Sequence, residues 1–210
     1  MGGQVVRLCG NHELMLLQGN WRYTNFVDQA GLKCQLEEEI LGGKMLAAYT
    51  DGTRLYTHAG LRTSIREKAE DGAPAASGRR NLQHLADRLN QIFVEALKTG
   101  DLKTHAIFHV DKERGGRHEV GGIFWGALAL LEGSLHTYDV AQIFGHTTTR
   151  KSGVKHSHGL QLIDIDAGMF IGYGVNRVYL EMGTTGALIE HALKKGNWQR
   201  TVLPETMGRL

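Results

Sequence analysis

The hydrophobic pattern of the chain begins with a short apolar run, residues 5–9, that ends at Gly10. Its β-branched and small side chains, stopped at once by a glycine, predict a buried strand. Apolar residues among positions 14–17 then predict one or two turns of helix that leave the end of this strand. Residues 10–13, Gly-Asn-His-Glu, therefore lie at the carboxyl end of a predicted strand, where open α/β sheets place their ligands.

A second pattern predicts a β-hairpin. Segments 45–50 and 53–58 read as strands and flank the dipeptide Asp51-Gly52. A two-residue loop with glycine at its second position is typical of a type I′ turn, because glycine accepts the positive φ that the turn requires. The turn fixes the register of the second strand, so that His58 lies where this strand ends.

Helical spacing is strongest over residues 81–97, where apolar residues recur every three or four positions and Gly100 follows as a stop signal. His84 falls outside this apolar stripe and is expected to be exposed. Residues 32–41 carry three consecutive glutamates and predict a surface helix.

The remaining pattern alternates loops with strands. Polar residues with Pro74 predict a loop over 66–80, and a glycine- and charge-rich loop is expected over 111–122. Apolar runs predict strands over 140–144, 160–165 and 175–181, with a polar loop over 147–158 between the first two. The tail from residue 183 is compatible with helix or strand. The predicted class is α/β.

Composition narrows the function classes. At 210 residues the chain has room for one domain, 1–210, with a substantial core. The net charge of +2, without a block of like charges, favours neither nucleic acid nor an anionic membrane as a partner. No run approaches the roughly 20 apolar residues that span a bilayer, and no secretory signal opens the sequence. Two cysteines fit a reducing compartment, so we expect a cytoplasmic protein.

Polar residues whose side chains can act in catalysis or metal binding follow three of the predicted strands. Asn11 and His12 follow the first, His58 follows the hairpin strand, and His146 follows the run that ends at Phe144. A single histidine after a strand is ordinary, but three at strand exits indicate a shared site at one rim. Cys9, beside the first group, is interpreted as a small buried strand residue and not as a ligand or nucleophile.

These elements resemble, in the same order, signatures of the calcineurin-like metallophosphoesterases. They are Gly-Asn-His-Glu at 10–13, Tyr-Thr-His-Ala-Gly-Leu at 56–61 and Ile-Phe-Gly-His-Thr at 143–147. The stretch 11–23 is most similar to the Shewanella-like branch of the phosphoprotein phosphatases. The resemblance covers nearly the whole chain. It implies the C-terminal portion of the four-layer α/β/β/α sandwich of that family.

The resemblance also implies residue roles. Asn11, His58 and His146 correspond to ligands of one divalent ion, and His12 to the general acid for the leaving alkoxide. An imidazole suits this acid role because its unperturbed pKa is near 6.5. Glu13 is expected to begin a helix and to orient its neighbours.

An arginine that helps to hold phosphate in the family is not at its expected place. The apolar stretch that ends at Trp125 is followed here by Gly126-Ala127, where the family has this arginine. Arg22, Arg114 and Arg117 are the candidates to replace it.

Two family motifs, Gly-Asp-x-His-Gly and Gly-Asp-x-x-Asp-Arg-Gly, do not occur in the sequence. In the family they precede residues 10–13 and supply the bridging aspartate and the ligands of a second ion. They correspond to about 60 residues or more, at ~30 per strand–helix unit. We therefore expect a domain that is incomplete at its N-terminus and lacks the first strand–helix units. It should bind at most one of the two divalent ions, Mn, Fe or Zn, of the complete enzyme.

The implied function is metal-dependent hydrolysis of phosphomonoesters, including phosphoserine, phosphothreonine or phosphotyrosine in proteins, impaired in this chain by the absent motifs. A diadenosine-tetraphosphatase-like nucleotide hydrolase is one alternative, because it shares the His-Ala-Gly and Gly-His elements. A non-catalytic remnant that binds a partner or a single metal is another. The expected partner is a phosphorylated substrate, without nucleic acid or membrane, and the sequence does not indicate an oligomeric state.

Overall fold

The computed structural model describes residues 4–20, 28–70, 82–127, 140–148, 155–157, 162–166, 177–183, 186–194 and 196–203. Its helices are α1 (Asn11–Leu17), α2 (Gln29–Leu41), α3 (Thr63–Ala69) and α4 (Leu82–Thr99), with 3₁₀ turns at Ala106–Phe108 and Lys112–Arg114. Its strands are β1 (Ala48–Thr50), β2 (Leu55–Thr57), β3 (Gln142–Phe144), β4 (Lys155–Ser157), β5 (Leu162–Asp164), β6 (Arg177–Met182), β7 (Leu188–Lys194) and β8 (Asn197–Val202).

The two helices predicted from spacing are confirmed. Helix α4 buries its apolar stripe, leaves His84 exposed, and is followed by Gly100 with a φ of 74°. Helix α2 begins three residues before the predicted start, because the Asp28 carboxylate accepts the Gly31 amide at 2.8 Å and caps the first turn.

The prediction of a strand over residues 5–9 was wrong. This segment is extended, but it pairs only at one parallel bridge, between Leu8 and Leu46. Two hydrogen bonds hold it, from the Cys9 amide to the Leu46 carbonyl and from the Leu46 amide to the Arg7 carbonyl. Val5 is 84% exposed, so the apolar character of the run does not translate into burial along its length.

The hairpin is confirmed, but its predicted two-residue loop was wrong. Strands β1 and β2 pair with Thr50 opposite Leu55, which leaves a four-residue loop. The Asp51 carboxylate accepts the amides of Thr53 and Arg54 at 2.7 and 2.8 Å. This side chain satisfies backbone donors that a tighter turn would have paired across the strands.

Two predicted loops contain regular structure. Helix α3 covers the start of the segment 66–80, since Ile65 and Ala69 are buried and an Arg66–Glu70 ion pair spans one turn at 3.0 Å. The remainder of that segment lies outside the described residues. Strand β4 lies within the predicted loop 147–158, where it pairs antiparallel with β5. Its polar sequence gives no strand signal; the neighbouring strand edge determines its conformation.

The strands form two sheets. The first has the order β1-β2-β3-β5-β4, with β2, β3 and β5 parallel to one another. The second is the antiparallel meander β6-β7-β8. The predicted strands over 140–144, 160–165 and 175–181 correspond to β3, β5 and β6, and the ambiguous tail contains β7 and β8.

The first sheet has a core on each face. On one side, Leu55 belongs to a large cluster with apolar residues of the four helices. On the other, Ile143 and Ile163 pack with Leu188 of β7 and with Leu203, which follows β8. The predicted α/β class is confirmed, and the described part of the chain has three layers: helices, sheet and sheet.

The outer face of the second sheet carries exposed large side chains, Tyr179, Trp198 and Val202, so among the described residues no helix covers it. The fourth layer implied by the resemblance therefore stays a prediction. None of the helices in the described ranges has the length and apolar character needed to cross a bilayer.

Candidate functional site

Three chain segments deliver the candidate ligands to one edge of the first sheet. Helix α1 starts at Asn11, His58 directly follows β2, and His146 lies two residues after β3. Strands β2 and β3 are parallel, so their carboxyl ends are adjacent. A hydrogen bond of 2.9 Å from the Gly145 amide to the His58 carbonyl fastens the two strand exits together.

The side chains of Asn11, His58 and His146 meet. The Nε2 of His58 lies 2.9 Å from Asn11 Oδ1 and 3.1 Å from His146 Nδ1. If His58 Nε2 carries a proton, that proton has two acceptors, Asn11 Oδ1 and His146 Nδ1, and can at best be shared between them. If His146 Nδ1 carries the proton and donates it to His58 Nε2, the Asn11 oxygen faces a nitrogen without a proton. The three atoms therefore form an electron-rich cluster with more lone pairs than protons.

The backbone at His146 is strained. Its φ is 72°, and within the described part of the chain it is the one residue other than glycine with a positive φ. A non-glycine residue in this region costs about 1–3 kcal/mol and is held there by its surroundings. The strain turns the His146 ring toward His58, with ring centroids 4.8 Å apart.

Burial keeps both histidines neutral. It lowers the pKa of His58 to about 4, although the negative charges of Glu13 and Asp166 oppose the shift. It lowers the pKa of His146 to about 3, and repulsion from His58 and from the Arg114 charge adds to the effect. Neutral imidazoles are the form that binds metal ions.

These pKa shifts predict that acid destabilises the fold. The unfolded chain protonates both histidines near pH 6.5, whereas the folded chain does so only near pH 4 and pH 3. The unfolded state therefore binds more protons below pH 6.5, and stability falls as the pH drops. We expect the free energy of unfolding to fall on the order of 4 kcal/mol between pH 7 and pH 4.5, as measured by urea titration. The double variant His58→Gln, His146→Gln should flatten this profile; an unchanged profile would contradict the assignment.

Gly10 and Glu13 pack closely together where the chain enters α1, next to His58. The Glu13 carboxylate accepts the Gly10 amide at 2.9 Å, which makes Glu13 a helix-start residue as expected. A Cβ at position 10 would lie 2.8 Å from Glu13 Oε2 and 3.1 Å from His58 Cε1. Because Gly10 has no Cβ, the side chains of Glu13 and His58 can pack against its backbone.

Gly10→Ala is expected to lower the free energy of unfolding by about 1–3 kcal/mol, because an added methyl group overpacks this contact. The same variant should weaken metal binding by displacing His58. Gly183→Ala is a matched control, since its Cβ would meet neighbours only at 3.5 Å or more. Equal stabilities of the two variants would show that the close approach at Gly10 is unimportant.

The other predicted site residues occupy different positions. His12 is exposed on the first turn of α1, and its charge contributes to the lowered pKa values of His58 and His146. Arg114 donates from Nη2 to Thr147 Oγ1 at 2.6 Å, beside His146. Arg117 is exposed, and the described residues give it no hydrogen bond to the site. Arg22 lies outside the described residues.

Two contributors were not assigned a role from the sequence. Trp125 presents its ring edge-on to His146, with centroids 5.9 Å apart and planes at 88°. Asp111, within the predicted loop 111–122, is fully buried and accepts the amides of Arg114 and Ala127, each at 2.9 Å. The motif around Trp125 was recognisable, but a structural aspartate in a loop has no local signal.

The cluster suits one divalent ion. In an octahedral site, ligand distances near 2.1 Å place adjacent ligands about 3 Å apart, which matches the 2.9 and 3.1 Å that separate His58 Nε2 from the other two donor atoms. The buried Nε2 of His146 has no hydrogen-bond partner among the described residues. Within these ranges no group of three or more His, Cys, Asp or Glu side chains is placed to hold a metal, so carboxylates do not add to the cluster. The donors that the described residues bring together are therefore two imidazoles and one amide.

No protein-family model matches the chain, and no curated protein matches it. Its fold is similar to solved structures of a cold-active protein tyrosine phosphatase. A single-residue mutant of that phosphatase has a TM-score of 0.62 at 19% identity, over 97% of this chain and 60% of that one. A second structure has a TM-score of 0.55 at 18% identity, over 97% and 59%.

A third, from a psychrophilic Shewanella species, has a TM-score of 0.48 at 17% identity, over 97% of this chain and 60% of that one. The chain thus spans about 60% of the length of these phosphatases. At these identities the likeness defines the fold that the chain shares with them.

Proposed function

We propose that the chain carries one metal-binding half of a phosphoesterase site, which acts on phosphomonoesters, phosphoproteins included. The observation that carries the proposal is that His58 Nε2 lies 2.9 Å from Asn11 Oδ1 and 3.1 Å from His146 Nδ1. The fold adds support, since the similar solved structures are protein tyrosine phosphatases by their description. The ordered motifs at 10–13, 56–61 and 143–147 add further support.

Asn11, His58 and His146 would hold a divalent ion such as Mn²⁺, Fe²⁺ or Zn²⁺. When bound, such an ion lowers the pKa of a coordinated water and neutralises phosphoryl oxygens. His12 is exposed beside the cluster and can hold a proton for the leaving oxygen. Arg114 lies at the same rim and can bind the phosphoryl oxygens through charge-assisted hydrogen bonds.

A cysteine nucleophile is a poorer explanation of phosphatase chemistry here. Cys9 is fully buried, and its thiol hydrogen-bonds to the Gly10 carbonyl at 3.6 Å. Burial, aided by the charge of Glu13, raises the pKa of this thiol well above its usual value. A nucleophilic cysteine needs the opposite, a lowered pKa and access to substrate. Cys34 is exposed on α2 and is not one of the residues that meet at the candidate site.

The proposal is tested by phosphate binding. Inorganic phosphate should bind the Mn²⁺-loaded chain, as measured by calorimetry, and should bind poorly after Mn²⁺ is removed. Arg114→Ala should weaken phosphate binding by about 10-fold or more, since hydrogen bonds to charged groups contribute about 1.5–3 kcal/mol.

Arg117→Ala is the matched control, because it removes the same charge from the same loop at an exposed position. Its effect on phosphate affinity should stay below about 2-fold. Phosphate binding that does not depend on Mn²⁺, or equal losses in both variants, would contradict the proposed site.

A further inference from the structure

The buried carboxylate of Asp111 connects two segments on either side of the candidate site. Asp111 is 0% exposed and precedes the 3₁₀ turn Lys112–Arg114. Its Oδ1 accepts the Arg114 amide and its Oδ2 accepts the Ala127 amide, each at 2.9 Å. One carboxylate therefore bonds backbone groups of the turn and of a segment sixteen residues from it along the chain.

Gly121 and Arg62 lie close to the Asp111 carboxylate. A Cβ at Gly121 would lie 2.9 Å from Asp111 Oδ2 and 2.8 Å from the Trp125 carbonyl. Arg62 is 7% exposed; burial lowers the pKa of its guanidinium, while attraction to Asp111 opposes the shift. Buried charges persist where hydrogen bonds and opposite charges compensate for lost hydration.

Both segments that Asp111 holds reach His146. The Arg114 side chain donates to Thr147, the residue after His146, at 2.6 Å. Trp125, two residues before Ala127, packs edge-on against the His146 ring. A shift of the Asp111 carboxylate would therefore move both the guanidinium and the indole.

We propose that Asp111 is a positioning residue that, by fixing the Arg114 backbone, aims the guanidinium at an oxyanion beside His146. This inference rests on the proposed function, because it requires Arg114 to contact the phosphoryl group. Asp111 itself does not touch the substrate. The side-chain oxygen of an asparagine at this position can accept a hydrogen bond from one of the two amides. Its NH₂ group would face the other amide, so that two donors would meet without an acceptor.

The test is a double-mutant cycle between Asp111→Asn and Arg114→Ala, read out by calorimetric titration of the Mn²⁺-loaded full chain with inorganic phosphate. Asp111→Asn should weaken phosphate binding about 10-fold on its own and less than about 2-fold when Arg114 is already alanine. Mn²⁺ affinity should change by less than about 2-fold in either background. This coupling is specific to positioning, because a general loss of structure acts regardless of Arg114.

Asp101→Asn is the matched control, since Asp101 also accepts two backbone amides in a turn but lies outside the site. It should leave phosphate affinity unchanged. If Asp111→Asn does not fold, as judged by its thermal transition, Gly121→Ala is the second variant, because its Cβ crowds the Asp111 carboxylate as well as the Trp125 carbonyl, and its effect is judged by the same dependence on Arg114. Equal losses of phosphate affinity with and without Arg114, or no loss in either background, would overturn the inference.

Results that contradict the proposed function differ from results that contradict the role of Asp111. If the chain does not bind phosphate even when loaded with Mn²⁺, the proposed function itself is wrong. If phosphate binds but Arg114→Ala has no effect, the metal site stands and the positioning role of Asp111 is overturned.

Discussion

Replacing His12 with alanine is expected to lower kcat for aryl phosphate hydrolysis by ~10²–10⁴-fold, in a protein that joins this chain to a segment with the two absent aspartate motifs. The proton of His12 is needed only when the leaving oxygen departs, so KM should change much less than kcat. The loss should shrink for substrates with good leaving groups. The unjoined chain should be no faster than buffer that contains the same metal.

His84→Ala is the control for this experiment, because His84 is an exposed histidine on α4 outside the site. Steady-state rates measured with a series of aryl phosphates would separate the proton-transfer role from substrate binding. Hydrolysis that survives His12→Ala, with the same dependence on the leaving group, would mean that another residue supplies the proton.

Replacing His146 with alanine is expected to reduce Mn²⁺ affinity by ~10²-fold or more, because one of three converging donors is lost and no carboxylate among the described residues compensates. His58→Ala should have a similar or larger effect, since His58 Nε2 contacts both other donors. Calorimetric titration of the metal-free chain with Mn²⁺ measures both losses. Excess Mn²⁺ should partly restore phosphate binding in each variant.

The Mn²⁺ titration has one control, His84→Ala, and one further site variant, Asn11→Ala. His84→Ala should bind Mn²⁺ like the unmodified chain, whereas Asn11→Ala should also lose Mn²⁺ affinity, because it removes one of the three donors. Unchanged Mn²⁺ affinity in both His58→Ala and His146→Ala would place the metal elsewhere in the protein.

Much of the fold could be predicted because its signals are local. The apolar stripe of α4 and the glycine after it specify the helix without reference to the rest of the chain. The hairpin likewise follows from two short strands around Asp51-Gly52. Its loop length could not be predicted, because it depends on Asp51 accepting two amides of its own loop.

The wrong predictions involve partners distant in sequence. Strand β4 is polar and becomes a strand by pairing with β5, while the apolar run 5–9 forms only one bridge. Helix α3 lacks a long periodic pattern and forms where Ile65 and Ala69 are buried in the core; the buried Arg66–Glu70 ion pair, one turn apart, adds a local contact. Burial and pairing outweigh local propensity in each of these cases.

The candidate site also has a part that could be predicted from the sequence and a part that could not. The sequence predicted that Asn11, His58 and His146 follow strands. In the structure β2 and β3 precede the two histidines, and their parallel pairing brings His58 and His146 together, whereas Asn11 follows an extended segment that forms only one bridge. The Arg114–Thr147 contact could not be predicted, because it depends on the buried Asp111 that closes the loop.

The central claim is that Asn11, His58 and His146 bind one divalent ion. Electron spin echo envelope modulation of the chain loaded with one equivalent of Mn²⁺ tests it most directly, because the method detects imidazole nitrogen bound to the ion. The account predicts nitrogen couplings from two histidines, reduced to one in His58→Ala or His146→Ala and absent in the double variant. Mn²⁺ without nitrogen couplings, or couplings that persist in the double variant, would contradict it.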